Sequence, residues 1–162
     1  MTGRRFLEDL AVGETNSTPE ISVGETEVIE FARRYDPQEM HTGPQTSSRD
    51  AFEGLIASGW HTAALVMRIL VDSHPLGATP LLGLGVDDLR WSKPVRPGDV
   101  LKAETKVLSI VRSRSKPDFG VVRLKVTAYN QHREVVYQMT ANLWVPCRTS
   151  KNPDAEGCQP TG

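Results

Sequence analysis

"GLIASGWHTAALVMRILVDSHPLG", residues 54–77, decides the fold. Its centre, 55–71, is the most apolar run of the chain, but it carries His61 and Arg68. A membrane-spanning helix wants roughly 20 apolar residues with few charges. The run therefore predicts a buried helix of a soluble core, over roughly 56–73, stopped by the "HPLG" of 74–77. Being apolar almost all round, this helix should be enclosed on several sides.

What encloses it follows from the segments downstream, where the period changes to two. In "LKAETKVLSIV", Leu101, Ala103, Thr105 and Val107 alternate with Lys102, Glu104 and Lys106. "VVRLKVTAY" alternates Val122, Leu124, Val126 and Ala128 with polar partners. "VVYQMTANLWV" does the same with Val135, Tyr137, Met139, Ala141, Leu143 and Val145. "SKPDFG" and "NQHRE" are turns between them, so an antiparallel meander with one wet face is predicted. A further strand is expected through "LLGLGVDDLRW", followed by the turn "KPVRPGD" at 93–99.

Upstream, "SVGETEVIEFARRYDP" sets Val28, Phe31, Ala32 and Tyr35 at helical spacing. Glu25 and Glu27 fall in its first turn and Arg33 and Arg34 in its last, complementing the helix dipole. Pro37 disfavours helical dihedrals at Asp36, so the helix should end at about Tyr35. Residues 36–50, rich in turn formers, predict a loop. The opening "RFLEDLAVGE" is a short apolar segment before a glycine turn. Pattern alone thus predicts an α+β fold, a buried helix packed on an antiparallel sheet. A single domain over 1–146 is expected, with 147–162 a disordered tail.

The chain has 162 residues and a formal net charge of −1, from 19 basic and 20 acidic residues, which excludes the basic footprint of a general nucleic-acid binder. Cys147 and Cys158 both lie near the end, and no signal peptide opens the chain. A reducing cytoplasmic setting is therefore expected rather than a disulfide framework. There is no P-loop, Rossmann glycine fingerprint, GxSxG, CxxC or HExxH, so neither a cofactor nor a metal is expected.

Two short stretches could carry chemistry. In "DPQEMH", Asp36 and His41 lie in a loop between two helices. There an acid and an imidazole can hold and polarise one water. Residue types alone favour a solvated turn, because Asp-Pro is common turn chemistry. In "GLIASGWHT", Gly59 lies where the buried helix begins, where free backbone N–H groups can receive a developing oxyanion. The plainer explanation is that Gly59 lets Trp60 pack tightly against the sheet. His61 reads as a core or interface residue, and Arg90, Lys93 and Arg96 as a charged turn.

In order along the chain, "FARRYDPQEMH", "FEGLIASGWHTAALVMRILVD", "GLGVDDLRWSKPVRPGD" and "ANLWVP" resemble the MaoC-like dehydratase family, which includes the (R)-specific enoyl-CoA hydratases. The resemblance implies a hot-dog fold, a long helix wrapped by a curved antiparallel sheet, in a homodimer or dimer-based oligomer. It implies a lyase of fatty acid metabolism, acting on an enoyl thioester of coenzyme A or acyl carrier protein, without membrane or nucleic-acid partners. Asp36 and His41 match the family's catalytic positions, and Gln38 replaces its Asn. Gly59 matches the glycine whose N–H receives the thioester oxygen, and the small residues Ala57 and Ser58 would leave room for an acyl chain. Glu39 and Gly43 depart from the family pattern at the pocket beside His41. The rival activities are a hot-dog acyl-CoA thioesterase and a non-catalytic acyl-thioester binding protein.

Overall fold

The computed structural model describes residues 3–43 and 54–148. The elements are β1 (Thr15–Ser17), β2 (Ile21–Ser22), α1 (Glu25–Tyr35), α2 (Glu39–Thr42), α3 (Gly59–Ser73), β3 (Leu82–Trp91), β4 (Val100–Arg112), β5 (Phe119–Tyr129) and β6 (Val135–Pro146). The sheet has six strands in the order β1-β4-β5-β6-β3, with β2 also pairing with β4, and every pairing is antiparallel. The long helix α3 packs against this sheet in the hot-dog arrangement.

The alternation of the three long strands is carried into burial. Leu101, Ala103, Thr105 and Val107 of β4 face the core, as do Val122, Leu124, Val126 and Ala128 of β5. On α3 the partners are Leu65, Val66, Ile69 and Leu70. Strand β6 slips by one residue at its start. Ala128 pairs with Tyr137 but Tyr129 with Val135, so Val136 is a bulge. Val136 is fully buried and Val135 is not, a reversal of the expected facing. A bulge adds one residue to one strand and flips the facing beyond it.

The structure differs from the sequence expectations in three further places. Helix α3 begins at Gly59 rather than near 56, and residues 55–57 are buried and non-helical, with the Ala57 N–H donating to the Val95 carbonyl at 2.8 Å. Helix α3 is enclosed on several sides as expected, and its remaining face stays open, with Trp60, Met67 and Val71 60%, 45% and 51% exposed. The loop after Asp36 contains a helical turn, α2. The helix α1 runs to Tyr35 as predicted, but its buried stripe is only Val28 and Ala32. Phe31 lies on the flank and Tyr35 is exposed.

At the end of the described chain, Cys147 is buried and its N–H donates to the Asp118 carbonyl at 2.7 Å, while Arg148 pairs with Asp9 at 2.6 Å. The remainder of the expected tail, 149–162, lies outside the described residues. No described helix is long and apolar enough to cross a membrane.

Ile69 sits at the centre of the α3–sheet contact and is 2% exposed. Ile69→Ala is predicted to cost about 2–5 kcal/mol by losing transfer energy and opening a cavity. Urea denaturation checks this, and a loss below about 1 kcal/mol would contradict the packing described.

Candidate active site

Asp36 is the residue at which α1 stops. Pro37 follows it, its backbone has left helical dihedrals (φ −151°, ψ 67°), and its N–H still donates to the Ala32 carbonyl. This places the carboxylate beyond the C-terminal end of α1, beside the N-terminus of α3. Ser58 Oγ donates to Asp36 Oδ2 at 2.6 Å, and Gln38 Nε2 donates to Oδ1 at 2.7 Å. Those two donors, Ser58 before Gln38, hold the Asp36 carboxyl below its ordinary value, with burial opposing and His41 adding a smaller lowering. Asp36 is therefore an anion at neutral pH.

His41 is carried inward by the single turn of α2 and is buried. Its Nδ1 lies 2.9 Å from the Ile56 carbonyl oxygen. A carbonyl can only accept, which assigns the proton to Nδ1. Nε2 then faces Asp36 Oδ2 at 3.5 Å with its lone pair. Two acceptors facing each other require a hydrogen from a third group, or a proton on the ring.

Gly59 is the first residue of α3, and Ser58 is its N-cap, accepting the Trp60 N–H at 3.3 Å. The Ser58 carbonyl accepts from the Thr62 N–H at 3.0 Å. The N–H of Gly59 has no acceptor among the described residues, as first-turn amides lack intrahelical partners. The candidate residues Asp36, His41, Ser58 and Gly59 thus converge, and buried Ala57 adjoins them in the chain.

Ser58 does something the sequence did not reveal. It is fully buried and bonds the Asp36 carboxylate, rather than merely leaving space. A serine directly before a helix is a recognisable cap, a signal lost when the helix start is set at 56. Gln38 keeps a donor on Asp36 despite its extra methylene. Glu39 is exposed in the first turn of α2, and Gly43 has extended backbone with room for a side chain. Neither departure removes a group from the pair.

His61 lies apart from this chemistry. It stacks on Phe31 with centroids 4.8 Å apart, and its Nε2 lies 3.7 Å from Glu27 Oε1. Burial pushes its imidazole below the ordinary value, with Glu27 opposing. In the charged turn, Lys93 pairs with Glu134.

The MaoC-like domain model matches residues 9–130. The chain belongs to the MaoC-like domain family. Similar solved structures include a MaoC-like dehydratase from Rhodospirillum rubrum, 43% identical with a TM-score of 0.82, covering 89% of this chain and 98% of that one. An R-hydratase from Pseudomonas aeruginosa is 25% identical with a TM-score of 0.71, covering 90% and 88%. Among curated proteins, a mesaconyl-CoA hydratase of Cereibacter sphaeroides is 26% identical over 92% of this chain, which spans 43% of that protein. The uncharacterised YdeM of Bacillus subtilis is 26% identical over 82% of this chain and 92% of its own.

In this MaoC-like protein the lowered Asp36 has a signed consequence. A depressed carboxyl stabilises the fold above its unfolded value, near 3.9, and that stability is lost as pH falls through the folded value. Ser58→Ala should be less stable than wild type at pH 7, with the gap narrowing below about pH 4. What persists in acid is the lost N-cap, about 1 kcal/mol. Thermal melts from pH 7 to pH 3 check this, and a gap that does not narrow would contradict the Ser58–Asp36 bond.

Proposed function

We propose that this protein catalyses reversible addition of water across the α,β double bond of an enoyl thioester, of coenzyme A or acyl carrier protein, as an (R)-specific enoyl-CoA hydratase does. The observation that carries this is the orientation of His41. Its Nδ1 is committed to the Ile56 carbonyl, so the basic Nε2 faces an anionic carboxylate 3.5 Å away. One water can donate a hydrogen to each.

In the hydration direction, the water oxygen forms a bond to Cβ while its proton passes to His41 Nε2. Asp36, tied down by Ser58 and Gln38, accepts the second water hydrogen and stabilises the imidazolium that forms. The electron pair of the double bond moves towards the thioester oxygen, where the Gly59 N–H would receive the charge. One such donor is worth about 3–4 kcal/mol in other enzymes. The proton on His41 then returns to Cα, giving the 3-hydroxyacyl thioester and restoring the neutral ring. Because Asp36 is depressed by its donors, it serves as a fixed anion, and His41 is the group that exchanges the proton.

The names of the similar hydratases support the same reaction class. A thioesterase with a carboxylate on the central helix finds little support, because the acid on α3 is Asp72, at its far end and paired with Arg68 at 2.9 Å.

A homodimer is part of this proposal. Met67 and Val71 on α3 and Leu82, Leu84 and Val86 on β3 are all at least 45% exposed, and β3 is an edge strand. Beneath them lies an apolar cleft of about 390 Å³ lined by Leu70, Leu124 and Met139 among others. Apolar exposure on that scale marks an association surface.

Incubated with crotonyl-CoA, the protein should remove the enoyl absorbance without releasing free thiol. Asp36→Asn and His41→Ala should each lower kcat by at least about a hundred-fold with the fold intact by circular dichroism. Thiol release, or near-normal turnover in either variant, would overturn the mechanism. In sedimentation, wild type should run as a dimer and Val86→Asp should shift towards monomer. A monomeric wild type would contradict the homodimer.

A further inference from the structure

Trp91 is the last residue of β3, and its indole lies across the first turn of α3. Its Nε1–H donates to the Gly59 carbonyl oxygen at 2.7 Å. A Cβ built on Gly59 would stand 2.8 Å from Cε2 and 2.9 Å from Nε1 of the same ring. The space a side chain at 59 would take is thus filled by the protein's own indole. Trp60, the aromatic neighbour expected to need the glycine, instead meets Trp91 edge-on with ring centroids 5.3 Å apart.

The indole is well anchored on its own side. Trp91 pairs with Tyr137 in the β3–β6 ladder, and the next residue, Ser92, donates its N–H to the Val136 carbonyl at 3.0 Å. The partner it holds is less constrained, because first-turn residues fray and exchange more readily than a helix interior. A hydrogen bond to the first carbonyl of α3, with a ring laid over the first Cα, fixes the rotation of that turn relative to the sheet. It also fixes where the Gly59 N–H points.

We propose that Trp91 is a positioning residue for the hydration: it holds the first turn of α3 so that the Gly59 N–H stays aimed at the thioester oxygen, and it is the reason residue 59 is glycine. The proposal rests on the hydratase reading given above. An oxyanion donor stabilises charge in proportion to its preorganisation, so loosening it lowers turnover without removing the groups that bind substrate.

Trp91→Phe keeps an aromatic ring and removes the donor. It should lower kcat on crotonyl-CoA by about ten-fold while KM stays within about two-fold. In a His41→Ala background, which holds substrate without turning it over, the carbonyl stretch of bound crotonyl-CoA should move back towards its free frequency when Trp91→Phe is added. Unchanged kcat and an unchanged carbonyl frequency would overturn the positioning role, even if the melting temperature fell. A second comparison needs no turnover. Gly59→Ala should lower the melting temperature in the presence of Trp91 and lower it less in a Trp91→Ala background. Equal losses in both backgrounds would show that the indole does not dictate the glycine. Absence of hydration by wild type across several acyl lengths would defeat the hydratase reading instead, leaving the glycine–indole coupling to stand or fall by the melting comparison.

Discussion

The carboxylate of Asp36 joins three chain segments that are far apart in sequence. It sits where α1 ends, accepts a hydrogen bond from Gln38 before α2, and accepts another from Ser58 at the start of α3. A partly desolvated carboxylate is costly unless its oxygens are filled by donors. These two donors stabilise the anion and bring the base of His41 and the first amide of α3 to the same place. If Asp36 were held differently, the imidazole and the helix terminus would remain, but they would no longer be joined through one carboxylate.

Much of the frame was legible because burial imposes a period. Strands β4, β5 and β6 each have one face on α3, and two-residue alternation records that directly. Helix α1 was legible from its acidic start, its basic end and Pro37. The parts that were not legible lack such a period. Strands β1 and β2 are three and two residues long, too short to alternate. The Val136 bulge changes the facing without changing composition. The α2 turn is only four residues, and its polar residues are equally good loop residues.

Within the candidate site, residue types located Asp36, His41 and Gly59, with the family resemblance raising them above a polar turn. The relations among them were not available from types. That Ser58 bonds Asp36 depends on where α3 starts, and that Trp91 bonds Gly59 depends on a strand edge 32 residues away in sequence. The position of the ring proton followed only from the Ile56 carbonyl, which selects one tautomer of His41. The apolar character of α3 predicted enclosure on several sides, which the structure shows, but could not tell which face would stay open.

His41, its Nδ1–H held by the Ile56 carbonyl, turns Nε2 towards the Asp36 carboxylate, and everything proposed for the site depends on that orientation. The most direct measurement is a long-range 15N–1H correlation spectrum of the histidine rings at pH above 7, with His41 assigned by comparison with His41→Ala. The neutral ring should show a protonated, pyrrole-like Nδ1 and a pyridine-like Nε2. A ring carrying its proton on Nε2 in the neutral state would contradict it, because the base would then face the Ile56 carbonyl and not the site.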